Sequence, residues 1–241
     1  MIQTVILSEL DGSDGINRPL INGSPSTPDP DYFKWVDRVL EIAGEKGLYV
    51  GLLPTWGDKV DKQWGAGPEI FDEANAREYG RWLGRRYADT PNIIWIIGGD
   101  RSGEGKNFTV WKAMAEGIKE CDKRHLMTYH PQGEHSSSFW FHDETWLDFN
   151  MFQSGHAQRD YAIYRRLLLN DLQKQPIKPV LDGEPRYENI PIDFKSENGR
   201  FDDFDVRMTL YQSMFSGACG YTYGCNEVWQ MYSDKYSPMI D

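Results

Sequence analysis

The sequence has few cysteines, fewer cationic than anionic residues, and no long apolar run. Its 241 residues include three cysteines, too few and too widely spaced for a disulfide framework or a thiolate zinc site. No stretch reaches the roughly 18 to 20 apolar residues that a membrane-spanning helix needs. Lys and Arg number 26 against 37 Asp and Glu, a net charge of −11. Without a basic cluster to neutralise phosphates, we expect no nucleic-acid partner.

The N-terminal segment lacks the features of a secretory signal peptide. MIQTVILSEL has the composition of a β-strand, with neither a cationic region nor a cleavage site. The sequence therefore predicts a domain that starts abruptly, or one whose first strand and helix are missing from this chain.

Short apolar runs alternate with amphipathic stretches along the chain. The predicted strands are Thr4–Leu10, Leu48–Trp56, Asn92–Asp100, His125–Pro131, Asp148–Ser154, Lys178–Glu184 and Gly217–Gly224. The predicted helices are Asp31–Lys46, Asp72–Ala88, Asn107–Arg124, Gln158–Gln175 and Asp202–Ser216. Several strands are continuously apolar, which is typical of a parallel sheet that is buried on both faces.

This alternation predicts an α/β fold with parallel strands. Seven strands at about 34 residues per unit favour a (β/α)8 TIM-type barrel with seven strands visible and the first β/α unit missing. We expect residues 1–241 to form a single catalytic domain. An open doubly wound sheet is the alternative, but its phosphate loop has one weak match, Gly98–Asn107, which fails the G-x4-G-K-[ST] spacing.

Polar and aromatic side chains follow nearly every predicted strand. Because the carboxyl ends of barrel strands form the active site, we expect these side chains to share one rim. They are Glu9, Trp56, Asp100, His130, Gln153 with His156, Glu184, and Tyr223 with Glu227. Asp100 and Glu184 each follow a glycine at the end of an apolar run. Arg101 and Arg186 are adjacent donors that would keep one carboxylate ionised while burial keeps the other protonated, as glycoside hydrolysis requires.

Tryptophans provide a second indication of sugar binding. The chain contains nine, and the apolar faces of sugar rings stack on aromatic planes. Trp56, Trp140, Trp146, Tyr223 and Trp229 are candidates, and the loop from Gln132 to Trp146 is a candidate substrate wall.

Two other chemistries are open to these residues. His130 and His156 could ligate a metal together with Asp100 or Glu184, as in metal-dependent barrel hydrolases, although no H-x-H or HExxH spacing occurs. A barrel that binds carbohydrate without cleaving it is the second alternative. A Ser–His–Asp triad has no G-x-S-x-G motif to support it.

Four strings together resemble the apiosidase-like domain family, which includes glycoside hydrolase family 140. They are VILSELDG, GLYVGLLPTWGDK, PNIIWIIGGDR and PVLDGEPRYE, and the similarity runs through almost the whole chain. The wider clan of retaining barrel glycosidases places the acid/base after strand 4 and the nucleophile after strand 7. With one N-terminal strand missing, the third and sixth visible strands take those places.

The resemblance implies that Asp100 is the acid/base and Glu184 the nucleophile of a retaining mechanism. Glu9, Trp56, Arg101, His130, Gln153, His156 and Tyr223 are the expected substrate contacts. The implied substrate is an oligosaccharide or polysaccharide, a pectic side chain containing apiose, and no cofactor is expected. The resemblance also implies a secreted or periplasmic protein.

Overall fold

A computed structural model describes residues 1–9, 18–160 and 162–229 of the chain. The chain divides into two compact units: unit 1 comprises residues 1–130 and 140–148, and unit 2 comprises residues 131–139 and 149–241. Each unit contains one four-stranded sheet and its own apolar core.

Over the described residues the strands alternate with helices in chain order, except that β5 follows β4 directly. The strands are β1 Ile2–Leu7, β2 Val50–Thr55, β3 Ile93–Arg101, β4 Met127–Pro131, β5 His135–Ser136, β6 Asn150–Gln153, β7 Val180–Asp182 and β8 Gly220–Tyr221. The α-helices are α1 Pro30–Glu45, α2 Glu73–Tyr87, α3 Lys106–Cys121, α4 Ser138–Phe141, α5 Ile163–Leu172, α6 Asp203–Phe215 and α7 Asn226–Trp229. Short 3-10 segments cover Ile21–Gly23, Gly57–Lys59, Ile192–Phe194 and Ser196–Asn198.

Unit 1 is built on the sheet β1-β2-β3-β4. Strand β2 is parallel to both β1 and β3, and Val50 lies opposite Ile2 on one side and Ile93 on the other. All six residues of β2 are buried, as expected of a strand with sheet neighbours on both edges and helices over the faces. The core of unit 1 includes the fully buried Trp95 and Trp111.

Helix starts follow from local side-chain chemistry. The Asp72 carboxylate accepts the Asn75 backbone N–H at 2.8 Å, and the Asn75 side chain accepts the Asp72 N–H at 3.0 Å. This reciprocal capping box satisfies two orphan donors of α2 and fixes its first turn. Asp202 and Asp205 form the same arrangement at α6.

Unit 2 is built on the sheet β5-β6-β7-β8. Strands β6, β7 and β8 are parallel, whereas the two-residue strand β5 runs antiparallel to β6. Phe152 of β6 and Val180 of β7 pack with Tyr164 and Leu168 of α5 in the core of this unit.

Each of the seven predicted strands has a counterpart, with bounds that differ by a few residues. The last residue of the first predicted strand, Leu10, lies outside the described residues. Strand β5 and helix α4 lie inside the segment that was predicted to be a loop, between Gln132 and Trp146. Among the described helices, none is both long enough and apolar enough to span a membrane.

Candidate active site

Asp100 lies at the end of β3, where the backbone turns sharply out of the extended conformation. Gly98, Gly99 and Asp100 have successive φ angles of 93°, 132° and 59°. Glycine adopts positive φ freely, but an aspartate there is strained by roughly 1 to 3 kcal/mol. Such strain is concentrated at functional sites, and here it sets the direction of the Asp100 side chain, which is 22% exposed.

His130 and Trp56 lie beside the end of β3. The backbone N–H of Asp100 donates to Nδ1 of His130 at 3.3 Å, so a neutral His130 ring carries its proton on Nε2. The Trp56 ring lies 5.6 Å from the His130 ring, tilted by 58°. The ends of β2, β3 and β4 therefore bring together three residues that the sequence predicted for the site.

Arg101 is completely buried next to Asp100. Its guanidinium donates through Nη1 to the Asp100 carbonyl at 2.8 Å, and the same nitrogen lies 3.9 Å from Oδ2 of Asp100. Tyr129 donates its hydroxyl to the Arg101 carbonyl at 2.8 Å, and burial raises the pKa of Tyr129 well above its usual value. Arg101 thus places a fixed positive charge 3.9 Å from the Asp100 carboxyl.

Glu9 follows β1 and is partly buried. Its backbone carbonyl accepts a 3.4 Å hydrogen bond from Nζ of Lys59. Lys59 is itself buried and lies 2.9 Å from the Asp58 carboxylate, so the ends of β1 and β2 are connected by a buried cation. A substrate contact by the Glu9 side chain stays a prediction.

Glu184 lies two residues beyond β7 in unit 2, with its side chain 12% exposed. Its Oε1 is 3.1 Å from Nε2 of His156, which follows β6. The backbone of the same two segments is joined by a 3.0 Å bond from the Gly155 N–H to the Glu184 carbonyl. Tyr187 and Phe194 pack against the His156 ring at centroid distances of 4.5 and 5.7 Å. The carboxylate is therefore held by a histidine that packing holds in turn.

A buried polar network lies at the end of β7. Asp182, which is fully buried, accepts hydrogen bonds from the hydroxyls of Ser154 at 3.2 Å and Ser213 at 3.1 Å. Burial raises its pKa to about 7, against the lowering effect of the two serines and the Arg186 charge. Arg186 is buried as well and donates to the hydroxyl of Thr209 and to the carbonyls of Gln158 and Asp160. Arg186, which the sequence predicted as a donor to a carboxylate, thus donates hydrogen bonds to the backbone of the loop after β6.

Gln153 and Tyr223 complete the predicted residues of unit 2. Gln153 ends β6, is buried, and accepts the Glu134 backbone N–H at 2.8 Å through its own carbonyl. Tyr223 follows β8, is 59% exposed, and donates its hydroxyl to the Glu188 carboxylate at 2.7 Å. Their substrate contacts stay predictions.

The proposed substrate wall includes one residue that belongs to the core. Trp146 is 3% exposed and packs 5.3 Å from the Phe141 ring, so its face is not available to a sugar. Trp140 is partly buried near Tyr129. The exposed Trp64, which the sequence analysis did not single out, lies against Arg101 at 4.4 Å.

Within residues 1–9, 18–160 and 162–229, no group of three or more His, Cys, Asp or Glu side chains has the geometry to hold a metal ion.

Comparison with known proteins shows the family. The model of the family described as "Apiosidase-like, catalytic domain" matches residues 1–240. A solved structure titled "Glycoside hydrolase" is 35% identical with a TM-score of 0.82, covering 97% of this chain and 56% of its own. A glycoside hydrolase family 5 protein from Bacteroides vulgatus ATCC 8482 is also 35% identical, with a TM-score of 0.80, covering 96% of this chain and 53% of its own. The chain thus spans about half the length of these two relatives.

More distant structures share the fold. The catalytic domain of Thermobifida fusca endoglucanase Cel5A is 14% identical with a TM-score of 0.52, covering 85% of this chain and 63% of its own. No curated protein matches the chain. The α/β fold with parallel strands is therefore confirmed, and it matches the (β/α)8 barrel enzymes of glycoside hydrolase family 5. Since the family model matches nearly every residue, the chain belongs to the apiosidase-like catalytic domain family.

Proposed function

We propose that this protein is a retaining glycoside hydrolase that acts on pectic side chains containing apiose. The family and the two 35% identical glycoside hydrolase relatives support glycosidase activity. The resemblance to apiosidases suggests the sugar. The observation that carries the proposal is the contact between Glu184 and His156, a largely buried carboxylate held at a strand end by a histidine donor.

In this proposal Glu184 is the nucleophile. A nucleophilic carboxylate must be ionised, and a donated hydrogen bond favours the charged form. His156 supplies that bond from Nε2 at 3.1 Å, which also fixes the orientation of the carboxylate. Glu184 attacks the anomeric carbon, and the bond from that carbon to the leaving oxygen breaks.

Asp100 is the acid/base of the proposed reaction. It gives its proton to the leaving oxygen in the first step and takes a proton from water in the second, when water displaces Glu184 from the sugar. Asp100 is therefore an anion between the two steps. The Arg101 guanidinium, 3.9 Å from Oδ2, stabilises that anion.

The test is the turnover of Asp100→Asn and Glu184→Gln on an apiose-containing pectic oligosaccharide. Each variant is expected to lose about a hundredfold or more in kcat, the usual contribution of such groups. Glu104→Gln, which changes an exposed carboxylate four residues after Asp100, is the matched control and should keep wild-type turnover. If Asp100→Asn and Glu184→Gln both turn over like the wild type, the assignment is wrong.

The stereochemistry of the product tests the retaining mechanism separately. Retention requires the two carboxyl groups to lie about 5–5.5 Å apart during catalysis, and inversion requires about 6.5–9.5 Å. Proton NMR of the first product formed should show the anomer of the substrate. Appearance of the opposite anomer would leave glycosidase activity standing and would refute the role of Glu184 as nucleophile.

A further inference from the structure

A tight turn in unit 1 displays an indole ring to solvent. The backbone N–H of Gly65 donates to the Lys62 carbonyl at 2.7 Å, which closes the turn. Trp64 lies inside it and is 62% exposed. The apolar surface of this indole is therefore open to a ligand.

The turn is fixed in place by buried groups. Arg101 donates from Nε to the Asp61 carbonyl at 2.6 Å and from Nη2 to the Lys62 carbonyl at 3.0 Å. A Cβ at Gly65 would lie only 2.3 Å from Cβ of Asp58, so the turn packs directly on the residues beneath it. Trp64 is therefore presented by rigid backbone.

The indole itself is oriented by a cation–π contact. The Arg101 guanidinium carbon lies 4.4 Å from the ring centroid of Trp64, a distance at which the cation is attracted to the face of the ring. This contact uses one face of the ring and leaves the indole 62% exposed. A flat apolar surface held in one orientation is pre-organised for stacking, which lowers the entropy cost of binding.

The Trp64 indole lies near Asp100, the proposed acid/base. The same guanidinium that contacts Trp64 lies 3.9 Å from Oδ2 of Asp100. Because the carboxyl and the indole both lie against one guanidinium, we expect a single oligosaccharide to span both.

We propose that Trp64 is the stacking platform for a sugar ring on the leaving-group side of the scissile bond. The inference rests on the proposed function, because the acid Asp100 gives its proton to the leaving oxygen and the sugar carrying that oxygen lies nearest to it. The ligand class is a neutral sugar ring, which offers an apolar C–H face to the indole and keeps its hydroxyls toward water and polar side chains.

The experiment compares two substrates that differ in the leaving group. Trp64→Ala should lower kcat/KM on an apiose-containing pectic oligosaccharide about tenfold, mostly through KM, since losing an aromatic anchor weakens binding by that order. On apiosyl fluoride, whose leaving group has no ring, the same variant should match the wild type. Trp64→Phe, which keeps an aromatic face, should recover part of the loss.

Trp35→Ala is the matched control, because Trp35 is a 68% exposed tryptophan of α1. This variant should have the wild-type kcat/KM on both substrates. Equal kcat/KM for Trp64→Ala and wild type on the oligosaccharide, or an equal loss on both substrates, overturns the inference.

Calorimetric binding of the same oligosaccharide separates the inference from the proposed function. If wild type binds without cleaving and Trp64→Ala binds about tenfold more weakly, the platform stands and the proposed function fails. If both bind equally, the platform fails. A wild type that neither binds nor cleaves the oligosaccharide overturns both.

Discussion

Replacing Asp182 with asparagine should change how stability depends on pH. Asp182 is fully buried, and its carboxylate accepts hydrogen bonds from Ser154 and Ser213. Asparagine has nearly the same shape, keeps one carbonyl acceptor, and is neutral at every pH. The substitution therefore removes a titrating group while preserving most of the contacts in the network.

The expected magnitude follows from the shift of the Asp182 pKa from 3.8 to about 7, which burial causes. The folded protein keeps this proton up to neutral pH, whereas the unfolded chain releases it near the ordinary value. The contribution of this proton to the free energy of unfolding is therefore fully present below the ordinary pKa of 3.8, and it is lost as the pH rises toward 7. At about 1.4 kcal/mol for each pH unit, the loss between pH 4.5 and 7.5 is about 3 kcal/mol.

Other groups near the carboxyl do not titrate in this window. Burial raises the pKa of both Tyr164 and Tyr221 far above neutral, so their hydroxyls stay neutral. The Arg186 side chain also interacts with Asp182 electrostatically.

Urea denaturation at several pH values between 4.5 and 7.5 measures the effect. The difference in free energy of unfolding between Asp182→Asn and the wild type should move in favour of the variant by about 3 kcal/mol across this range. Asp89→Asn is the control, because the Asp89 carboxylate is fully exposed, and its difference from the wild type should stay constant. A constant difference for Asp182→Asn, or a slope of opposite sign, would refute the reasoning.

Two further substitutions test the packing around the candidate site. Gly57→Ala would place a Cβ 2.1 Å from the Gly99 carbonyl oxygen, so we expect a loss of roughly 1–3 kcal/mol in the free energy of unfolding and lower turnover, because the backbone before Asp100 must move. Lys59→Met leaves the buried Asp58 carboxylate, 2.9 Å from Nζ, without its cation, which should cost about 3–5 kcal/mol in urea denaturation.

Matched controls make both results interpretable. An added Cβ at Gly133 meets nothing within 4 Å, so Gly133→Ala should keep both stability and turnover. Lys34 pairs with Asp31 at 2.6 Å on the surface, so Lys34→Met should leave the free energy of unfolding close to that of the wild type. If each test variant behaves like its control, the packing argument is wrong.

The strands were predictable wherever burial on both faces leaves a continuous apolar run. Strands β2 and β3 are such runs, and their predicted bounds are close to those observed. Strand β5 has two residues and pairs antiparallel with β6, too short for any periodicity to show.

Helix α5 begins later than predicted for a reason outside its own segment. The prediction started it at Gln158, but it starts at Ile163. The carbonyls of Gln158 and Asp160 accept hydrogen bonds from Arg186, so a side chain 26 and 28 residues away uses acceptors that a helix would need. Long-range competition of this kind leaves no trace in local sequence.

The candidate site was likewise predictable only in part. The polar ends of the strands were visible in the sequence, and the structure brings Trp56 and His130 to Asp100 and brings His156 to Glu184. The left-handed backbone at Asp100 was signalled only by the two glycines before it. The contact between Trp64 and Arg101 was not predictable, because the two residues are distant in sequence and a lone tryptophan in a loop has no pattern.

The single guanidinium of Arg101 has one more consequence. Its three nitrogens bind the carbonyls of Asp61, Lys62 and Asp100, so the dimensions of one planar group fix the spacing between the loop and the strand. Lysine, with a single nitrogen at the end of a flexible chain, cannot reproduce three fixed directions. The backbone positions that carry the Asp100 carboxyl and the Trp64 indole are therefore fixed relative to each other, and in the proposed binding mode an oligosaccharide must fit that spacing.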